Sequence, residues 1–215
     1  MNSNYYSSIR NDIIKYIPKK VKNILEIGAG TGNTLLKIKE LDLAENVYGI
    51  EILKIENSNQ TNPIIKEFII GDIEKLNLNF ENNFFDIIIA GDVLEHLVNP
   101  WKTISYLSKF LKKDGLIISS IPNIRNYKVL KDIFFKGSFT YQESGILDKT
   151  HLRFFCKKNI IDLFKKSNFS IIKIESNRTK SQYKFRLKNI LSWITFGYLN
   201  NFFIKQYFVI AKKND

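Results

Sequence analysis

The stretch ILEIGAGTG, which runs from Ile24 through Glu26 to Gly32, decides the fold. An apolar run of strand character passes directly into three alternating glycines, and the residues after them, TLLKIKEL (34–41), have the apolar spacing of a helix. Glycine lets the backbone turn tightly and approach a ligand closely, while the amides at a helix start point toward that ligand. The stretch therefore predicts a strand, a ligand-binding turn and a helix in that order.

The same alternation continues along the chain. Strands are predicted at 23–28, 47–51, 68–71, 85–90, 116–121, 169–175 and 206–213, and helices at 3–17, 34–41, 101–113 and 157–167. Near-continuous apolar strands that alternate with helices indicate a parallel sheet covered on both faces. We therefore expect an α/β, doubly wound, Rossmann-like fold with seven strands, the last of them antiparallel, and a small insert before that last strand.

Length and composition limit the class of protein. A chain of 215 residues with 44% hydrophobic residues suits one domain with its own core and excludes a disordered chain. The single cysteine, Cys156, excludes a disulfide framework, and no apolar run approaches the roughly 20 residues that span a bilayer. The polar N-terminus is unlike a signal peptide, so we expect a cytoplasmic protein that works either in the cytoplasm or at the inner membrane surface.

Charge is concentrated toward the C-terminus. The formal net charge is +12, and residues 157–215 hold thirteen basic and three acidic residues. Such a balance indicates an anionic neighbour: nucleotide phosphates, a phospholipid surface or RNA. Residues 176–205 mix basic and large apolar residues, so we expect this insert either to pack on the domain, to contact a membrane through 184–203, or to bind a partner subunit in an oligomer.

Two further elements follow predicted strands at ligand-binding positions. Glu51 closes the second strand, where a carboxylate can accept both ribose hydroxyls of an adenosine cofactor. Gly71-Asp72-Ile73 follows the third strand, where Asp72 can accept from an adenine amino group while Ile73 packs on the ring. Because position 33 is Asn, the glycine turn departs from the dinucleotide pattern G-x-G-x-x-G.

At this point the sequence resembles the class I S-adenosylmethionine-dependent methyltransferases. The resemblance rests on ILEIGAGTG (24–32), YGIE (48–51), GDIEKL (71–76), FDIIIAGDVLEHL (85–97) and LKKDGLIISS (111–120). It implies that S-adenosylmethionine is the cofactor and that residues 1–20 form a lid helix over it. The implied cofactor contacts are Tyr6 and Arg10 from the lid, Glu26, Gly28, Ala29, Gly30, Thr31 and Gly32 on the methionine part, Glu51 and Ile52 on the ribose, Asp72 and Ile73 on the adenine, and Gly91 with Val93.

The chain has two histidines, and both occur in motif-like settings. His96 lies in Asp92-Val93-Leu94-Glu95-His96, directly after the fourth strand. His151 lies in DKTHLRFF (148–155), shortly before the helix predicted at 157–167. Three interpretations remain open. His96 is a general base oriented by Asp92 or Glu95, with His151 nearby; or Asp92, Glu95, His96 and His151 bind Mg²⁺ or Mn²⁺; or the polar residues merely cap the turn. The metal interpretation assumes that residues 92–96 are helical, which would put 92, 95 and 96 on one face. It follows a resemblance to the E-x-x-E-H pattern of ubiquinone-pathway and small-RNA O-methyltransferases, in which Asp replaces the first Glu here.

The segment DKTHLRFF (148–155) resembles one found in methyltransferases of bacterial surface-polysaccharide and O-antigen gene clusters. The resemblance implies that residues 122–156 form an acceptor lid with contacts from Asn123, Arg125, Tyr127, Asp148, His151 and Arg153. The sequence thus predicts methyl transfer to a hydroxyl, or less readily an amine, of a phosphate-bearing sugar or glycan precursor. A metal-dependent RNA 2′-O-methyltransferase and a non-catalytic cofactor-binding subunit are the alternatives, and RNA is the less favoured partner.

Overall fold

The structure, a computed structural model, describes residues 7–18, 20–178 and 198–214. Its seven strands are β1 (Val21–Ile27), β2 (Ala44–Glu51), β3 (Glu67–Ile70), β4 (Phe85–Gly91), β5 (Leu111–Pro122), β6 (Phe169–Arg178) and β7 (Ile204–Lys213). They form one sheet in the order β3-β2-β1-β4-β5-β7-β6. Strands β1 to β5 are parallel neighbours, and β7 runs antiparallel to both β5 and β6. The predicted doubly wound fold with its antiparallel last strand is confirmed.

Helices cover both faces of the sheet because the strands bury both of their faces. The helices are α1 (Asn11–Ile14), α2 (Asn33–Glu40), α3 (Pro100–Ser108), α4 (Tyr127–Lys136) and α5 (Lys157–Lys166). One core joins Leu25 and Ile88 to apolar residues of α3 and α5, and the other joins Ile24 and Ile87 to those of α1 and α2. Adjacent strand residues thus alternate between two cores, which explains the near-continuous apolar runs in the sequence.

Three sequence predictions about element bounds are wrong. Residues 7–10 are not helical and α1 covers four residues, so the predicted helix over 3–17 is not continuous. Helix α3 ends at Ser108 instead of 113, because Leu111 is fully buried and pairs with Phe85 as the start of β5. The predicted stop at Asp114-Gly115 is an irregularity inside β5, where Asp114 has a φ of 60°.

The predicted acceptor lid and insert also differ in part. Helix α4 lies within 122–156, where the mixed aromatic sequence shows no helical period. Of the insert over 176–205, residues 176–178 belong to β6 and 204–205 to β7, while a 3₁₀ turn covers Tyr198–Phe203. Residues 179–197, and with them most of the expected membrane contact, lie outside the described residues. Within the part of the chain that is described, no helix is both long and apolar enough to cross a membrane.

Candidate active site

The glycine turn lies at the carboxyl end of β1, the edge at which parallel α/β sheets bind ligands. Its backbone has left-handed φ values of 68° at Gly28, 53° at Gly30 and 83° at Gly32. A Cβ at Gly28 would lie 2.5 Å from Cγ2 of Val93, which makes glycine necessary there for a second reason. At Gly28 the turn therefore has no side chain, and its backbone lies directly against the loop that follows β4.

Two acidic side chains stand behind this turn. Glu51 is buried, and its Oε2 accepts from the Gly30 amide at 2.9 Å while its Oε1 accepts from the Ile52 amide at 2.9 Å. Glu26 is also buried, and its Oε2 has no hydrogen-bond partner among the described residues. Burial raises the pKa of Glu26 to about 8, with Arg10 opposing the rise and Glu51 adding to it. Glu26 is thus an unsatisfied acceptor at the strand end that carries the glycine turn.

The loop over residues 55–62, which the sequence analysis did not single out, is hydrogen-bonded to the glycine turn. Gln60 is buried, donates from Nε2 to the Gly30 carbonyl at 2.9 Å and to the Leu53 carbonyl at 3.0 Å, and accepts from the Ile55 amide at 2.9 Å. The backbone amide of Asn59 donates to the Thr31 carbonyl at 2.9 Å. No strand or helix pattern marks residues 55–62, so a spacing argument has no signal for these two residues.

The expected adenine and ribose contacts lie at the ends of β2 and β3. Asp72 accepts from the Glu74 amide at 3.0 Å and pairs with Lys75 at 2.9 Å, and this pairing lowers its pKa. Ile73 is buried in the core, whereas Ile52 is 60% exposed. Ile52 therefore offers an apolar face at this edge that Ile73 does not offer in this structure.

Asp92 belongs to a network that differs from its predicted setting. Its backbone is left-handed, with a φ of 55°, and the helical turn after it is a 3₁₀ turn over Leu94–His96. The prediction that Asp92, Glu95 and His96 share one helical face is therefore wrong. The Asp92 carboxylate pairs with Arg10 at 3.0 Å and accepts from the Ser120 hydroxyl at 2.8 Å and from Gln206. With its oxygens held there, Asp92 neither orients His96 nor joins the other metal candidates.

Arg10 lies at the centre of that network. It also pairs with Asp12 at 3.0 Å and donates to the Ser120 hydroxyl at 2.9 Å. A Cβ at Gly91 would lie 2.8 Å from Nη1 of Arg10, so the guanidinium lies directly against the end of β4. Of the expected lid contacts, Arg10 thus reaches the site, while Tyr6 lies outside the described residues.

The two histidines meet behind the end of β4. Their ring centroids are 4.7 Å apart, and the ligand atoms of Glu95, His96 and His151 all lie within 4.8 Å of one another. His151 Nδ1 lies 3.0 Å from the Ile146 carbonyl, and His96 Nδ1 lies 3.2 Å from the Thr150 carbonyl. Because a carbonyl oxygen can only accept, each contact assigns a proton to Nδ1, so the lone pair of the neutral ring is on Nε2.

Glu95 completes this cluster. It is 1% exposed, neither carboxyl oxygen has a hydrogen-bond partner among the described residues, and Oε1 lies 4.0 Å from Nε2 of His151. Burial, followed by the nearby Asp92 charge, raises the pKa of Glu95 well above its ordinary value. Burial also lowers the pKa of His151. Burial therefore favours the neutral forms of Glu95 and His151, and both Glu95 oxygens can still accept a hydrogen bond or bind a cation.

Thr150 connects this cluster to Asp148, and the sequence analysis did not identify it. The Thr150 hydroxyl donates to Asp148 at 2.7 Å and lies 3.1 Å from Nδ1 of His96. Asp148 was expected to contact the acceptor. In this structure it accepts from the Thr150 hydroxyl, which in turn contacts the His96 ring.

The remaining expected acceptor contacts divide into two groups. Asn123 is fully buried and donates to the Asn201 and Ile204 carbonyls at 2.9 Å, so its predicted contact with an acceptor is wrong and it fastens β5 to β7 instead. Arg153 donates to the Val98 carbonyl, Arg125 lies 4.6 Å from the centre of the Phe202 ring, and Tyr127 packs on Phe203. These three side chains are partly exposed, but each already contacts a neighbour.

The comparisons with known proteins agree with this geometry. The family described as "Methyltransferase domain" matches residues 1–174. An uncharacterised protein of Methanocaldococcus jannaschii is 27% identical over 89% of this chain and 81% of its own length. The ubiquinone biosynthesis O-methyltransferase of Glaesserella parasuis is 31% identical, over 47% of this chain and 46% of its own length. Among solved structures, a SAM-dependent methyltransferase of Archaeoglobus fulgidus has a TM-score of 0.67 at 19% identity and covers 98% of this chain and 97% of its own.

Proposed function

This chain belongs to the family of methyltransferase domains and is an S-adenosylmethionine-dependent methyltransferase, and from this premise we propose that it methylates a hydroxyl group of a sugar. The acceptor is a sugar, a nucleotide-sugar or a lipid-linked glycan precursor of a surface polysaccharide, with an amine as the less favoured acceptor atom. The observation that carries the proposal is the pair of histidines beside the end of β4, each of which has its Nδ1 atom against a backbone carbonyl.

The residues around the glycine turn fit the cofactor. Gly28 leaves no room for a Cβ, and Glu26 offers a buried oxygen without a partner among the described residues, which suits the cationic amine of a methionine. Glu51 already accepts backbone amides, but a carboxylate has further lone pairs for ribose hydroxyls. When bound, S-adenosylmethionine supplies a methyl group on a positively charged sulfur. Arg10, Glu26, Glu51, Ile52 and the glycine turn would hold it.

A hydroxyl acceptor must lose its proton, and the histidines can receive it. With Nδ1–H donating to the Thr150 carbonyl, His96 has Nε2 as its basic atom. Asp148, acting through the Thr150 hydroxyl, stabilises the imidazolium that forms when Nε2 takes the proton. A positioned base of this kind is typically worth ~10²–10⁴ in rate.

Two features support an oxygen acceptor on a sugar. The Glaesserella relative is by its name an O-methyltransferase. The segment 148–155, on which the resemblance to surface-polysaccharide methyltransferases rests, holds Asp148, Thr150 and His151 together. Thr150 of the same segment contacts His96, which supports a role for the segment next to the proposed base.

A metal-assisted form of the same reaction is the second candidate, and the two partnerless oxygens of Glu95 favour it. One carboxylate and two imidazoles suit Mn²⁺ better than Mg²⁺, which prefers oxygen ligands, so the donor set is Glu95, His96 and His151 without Asp92. A cation there would lower the pKa of a hydroxyl bound to it. Removing metals with a chelator distinguishes the two: activity lost and then restored by Mn²⁺ supports the metal, and unchanged activity supports the base.

The acceptor class is tested by following labelled methyl from S-adenosylmethionine into a cell extract that is then separated by chemical class. We expect label in sugar nucleotides or glycolipid. Label in RNA would contradict the proposal in favour of RNA 2′-O-methylation, and label in protein would contradict it as well. Cofactor binding without transfer to any fraction would indicate a non-catalytic subunit.

The matched control is His96→Gln, which keeps the size of the side chain but removes the base. The same labelled fraction should appear with the native chain and nearly vanish with the variant. Label that persists at the native level with His96→Gln, but is absent when no protein is added to the extract, would show that His96 is not the base. Label that also appears without added protein would come from another protein in the extract.

A further inference from the structure

The C-terminal half of α4 carries two large aromatic side chains into solvent. Phe134 is 83% exposed and Phe135 is 77% exposed, and their ring centroids lie 5.2 Å apart. Although α4 contains several apolar residues, Val129 is the one that it buries. Single exposed apolar residues are ordinary, but two adjacent phenylalanines at the end of a helix form an apolar patch of the kind that marks an interaction surface.

The patch is surrounded by positive charge. Lys128, Lys131 and Lys136 lie on the same helix, and the one acidic residue there, Asp132, pairs with Lys136 at 2.8 Å. Lys128 and Lys131 are exposed. Aromatic rings beside several lysines match an anionic surface that is apolar just below its charged layer.

The shape of the segment favours a deformable surface. Nearly every residue from 131 to 145 is exposed, so the tip is convex. At its base, Phe139, Tyr141 and Phe154 pack their rings together, with Phe139 and Phe154 centroids 5.4 Å apart. A rigid protein partner would need a matching groove to cover the rings on a convex tip, whereas lipid headgroups can move aside for them.

From these observations we propose that the α4 tip, residues 131–137, is a membrane-docking element that inserts Phe134 and Phe135 into an anionic lipid surface. This surface differs from the segment 184–203, which lies mostly outside the described residues. The chain returns from the tip to Thr150 and His151, so docking would place the acceptor lid against the bilayer. A lipid-linked acceptor could then reach the site without leaving the membrane.

The test is cosedimentation of the full-length chain with vesicles of phosphatidylcholine alone or with phosphatidylglycerol. We expect tight binding to the mixed vesicles and weak binding to the neutral ones. The double variant Phe134→Ala/Phe135→Ala should lose about tenfold or more of its affinity, because two aromatic side chains no longer leave water. The double variant Lys128→Gln/Lys131→Gln should lose severalfold and show a weaker dependence on salt.

The matched control is Ile64→Ala/Ile172→Ala, which removes two apolar side chains that are 53% and 57% exposed elsewhere on the surface. It should bind vesicles as the native chain does, and all variants should keep the native melting temperature and cofactor affinity.

The proposal is overturned if the native chain does not bind anionic vesicles, or if the phenylalanine variant binds equally well. A native dimer that the phenylalanine variant dissociates, without vesicle binding, would overturn it in favour of a subunit interface. Because the assay requires no acceptor or turnover, its result is independent of the proposed reaction.

Discussion

At the scale of single residues, Glu26 makes the stability of the cofactor-free protein depend on pH. Its pKa is raised to about 8 in the folded chain, from an ordinary 4.5. Between these values the folded state holds a proton that the unfolded state has lost. The contribution is thus fully present below the ordinary pKa and disappears as pH rises through about 8. Since one pKa unit corresponds to about 1.4 kcal/mol, the loss amounts to a few kcal/mol.

Thermal melts of the native chain and of Glu26→Gln from pH 5 to 9, without added cofactor, check this expectation. The native chain should lose stability relative to the variant as pH rises toward 8, and the difference should level off above that. Glu45→Gln is the control, because Glu45 is an exposed glutamate in β2. This variant should follow the native curve. Parallel curves for the native chain and Glu26→Gln would show that Glu26 ionises normally.

His96 tests the proposed base at the same scale. Replacing it by Gln should lower the maximal rate of methyl transfer by ~10²–10⁴ and leave cofactor affinity almost unchanged, because the glycine turn lies on other elements. Thr150→Val should cause a smaller loss of rate, since Asp148 then no longer stabilises the imidazolium through the hydroxyl. Steady-state kinetics against pH would measure both. An unchanged rate in His96→Gln would exclude His96 as a base and as an essential metal ligand.

At the scale of elements, the short loop over 55–62 decides whether the glycine turn keeps its shape. Gln60→Ala removes three side-chain hydrogen bonds to backbone groups in two loops. Leaving buried groups unpaired costs about 1–3 kcal/mol, so cofactor affinity should fall about tenfold or more together with the melting temperature. Calorimetric titration measures the affinity, and Gln142→Ala, with its exposed side chain, is the control. Native affinity in Gln60→Ala would mean that the turn holds itself.

The elements also show what could be read from the sequence. Strands were predictable because both of their faces are buried, and the turn at 28–32 because its left-handed backbone selects glycine. Asp92 could not be placed by spacing, because its left-handed backbone breaks the helical face that spacing assumes. Gln60 and Thr150 were missed for a different reason. They act on partners that are distant in sequence and lie in loops without any period.

At the scale of the whole molecule, the network around Asp92 joins parts of the chain that are far apart in sequence. Arg10 precedes α1, Asp92 follows β4, Ser120 lies in β5 and Gln206 in β7. Ser120 and Gln206 were not expected at the site, yet they fix the carboxylate that holds Arg10. The network therefore fastens the N-terminal segment across the carboxyl edge of the sheet, where the glycine turn and Glu26 lie.

Breaking this network should loosen both the fold and the cofactor site. In Asp92→Asn, Arg10 loses one of its two charged partners while remaining largely buried. We therefore expect the free energy of unfolding to fall by about 1–3 kcal/mol. This is less than for a fully buried pair, because both side chains are partly exposed. Cofactor affinity should fall as well, because the segment before α1 is released.

Asp12→Asn is the matched control. It removes the other charged partner of Arg10, Asp12, which lies nearby in α1 and not on a strand distant in sequence. Denaturant unfolding and cofactor titration of both variants, alone and combined with Arg10→Met, give the coupling energies. Coupling of Arg10 to Asp92 that is no larger than its coupling to Asp12 would show that Arg10 makes local contacts and does not close the site.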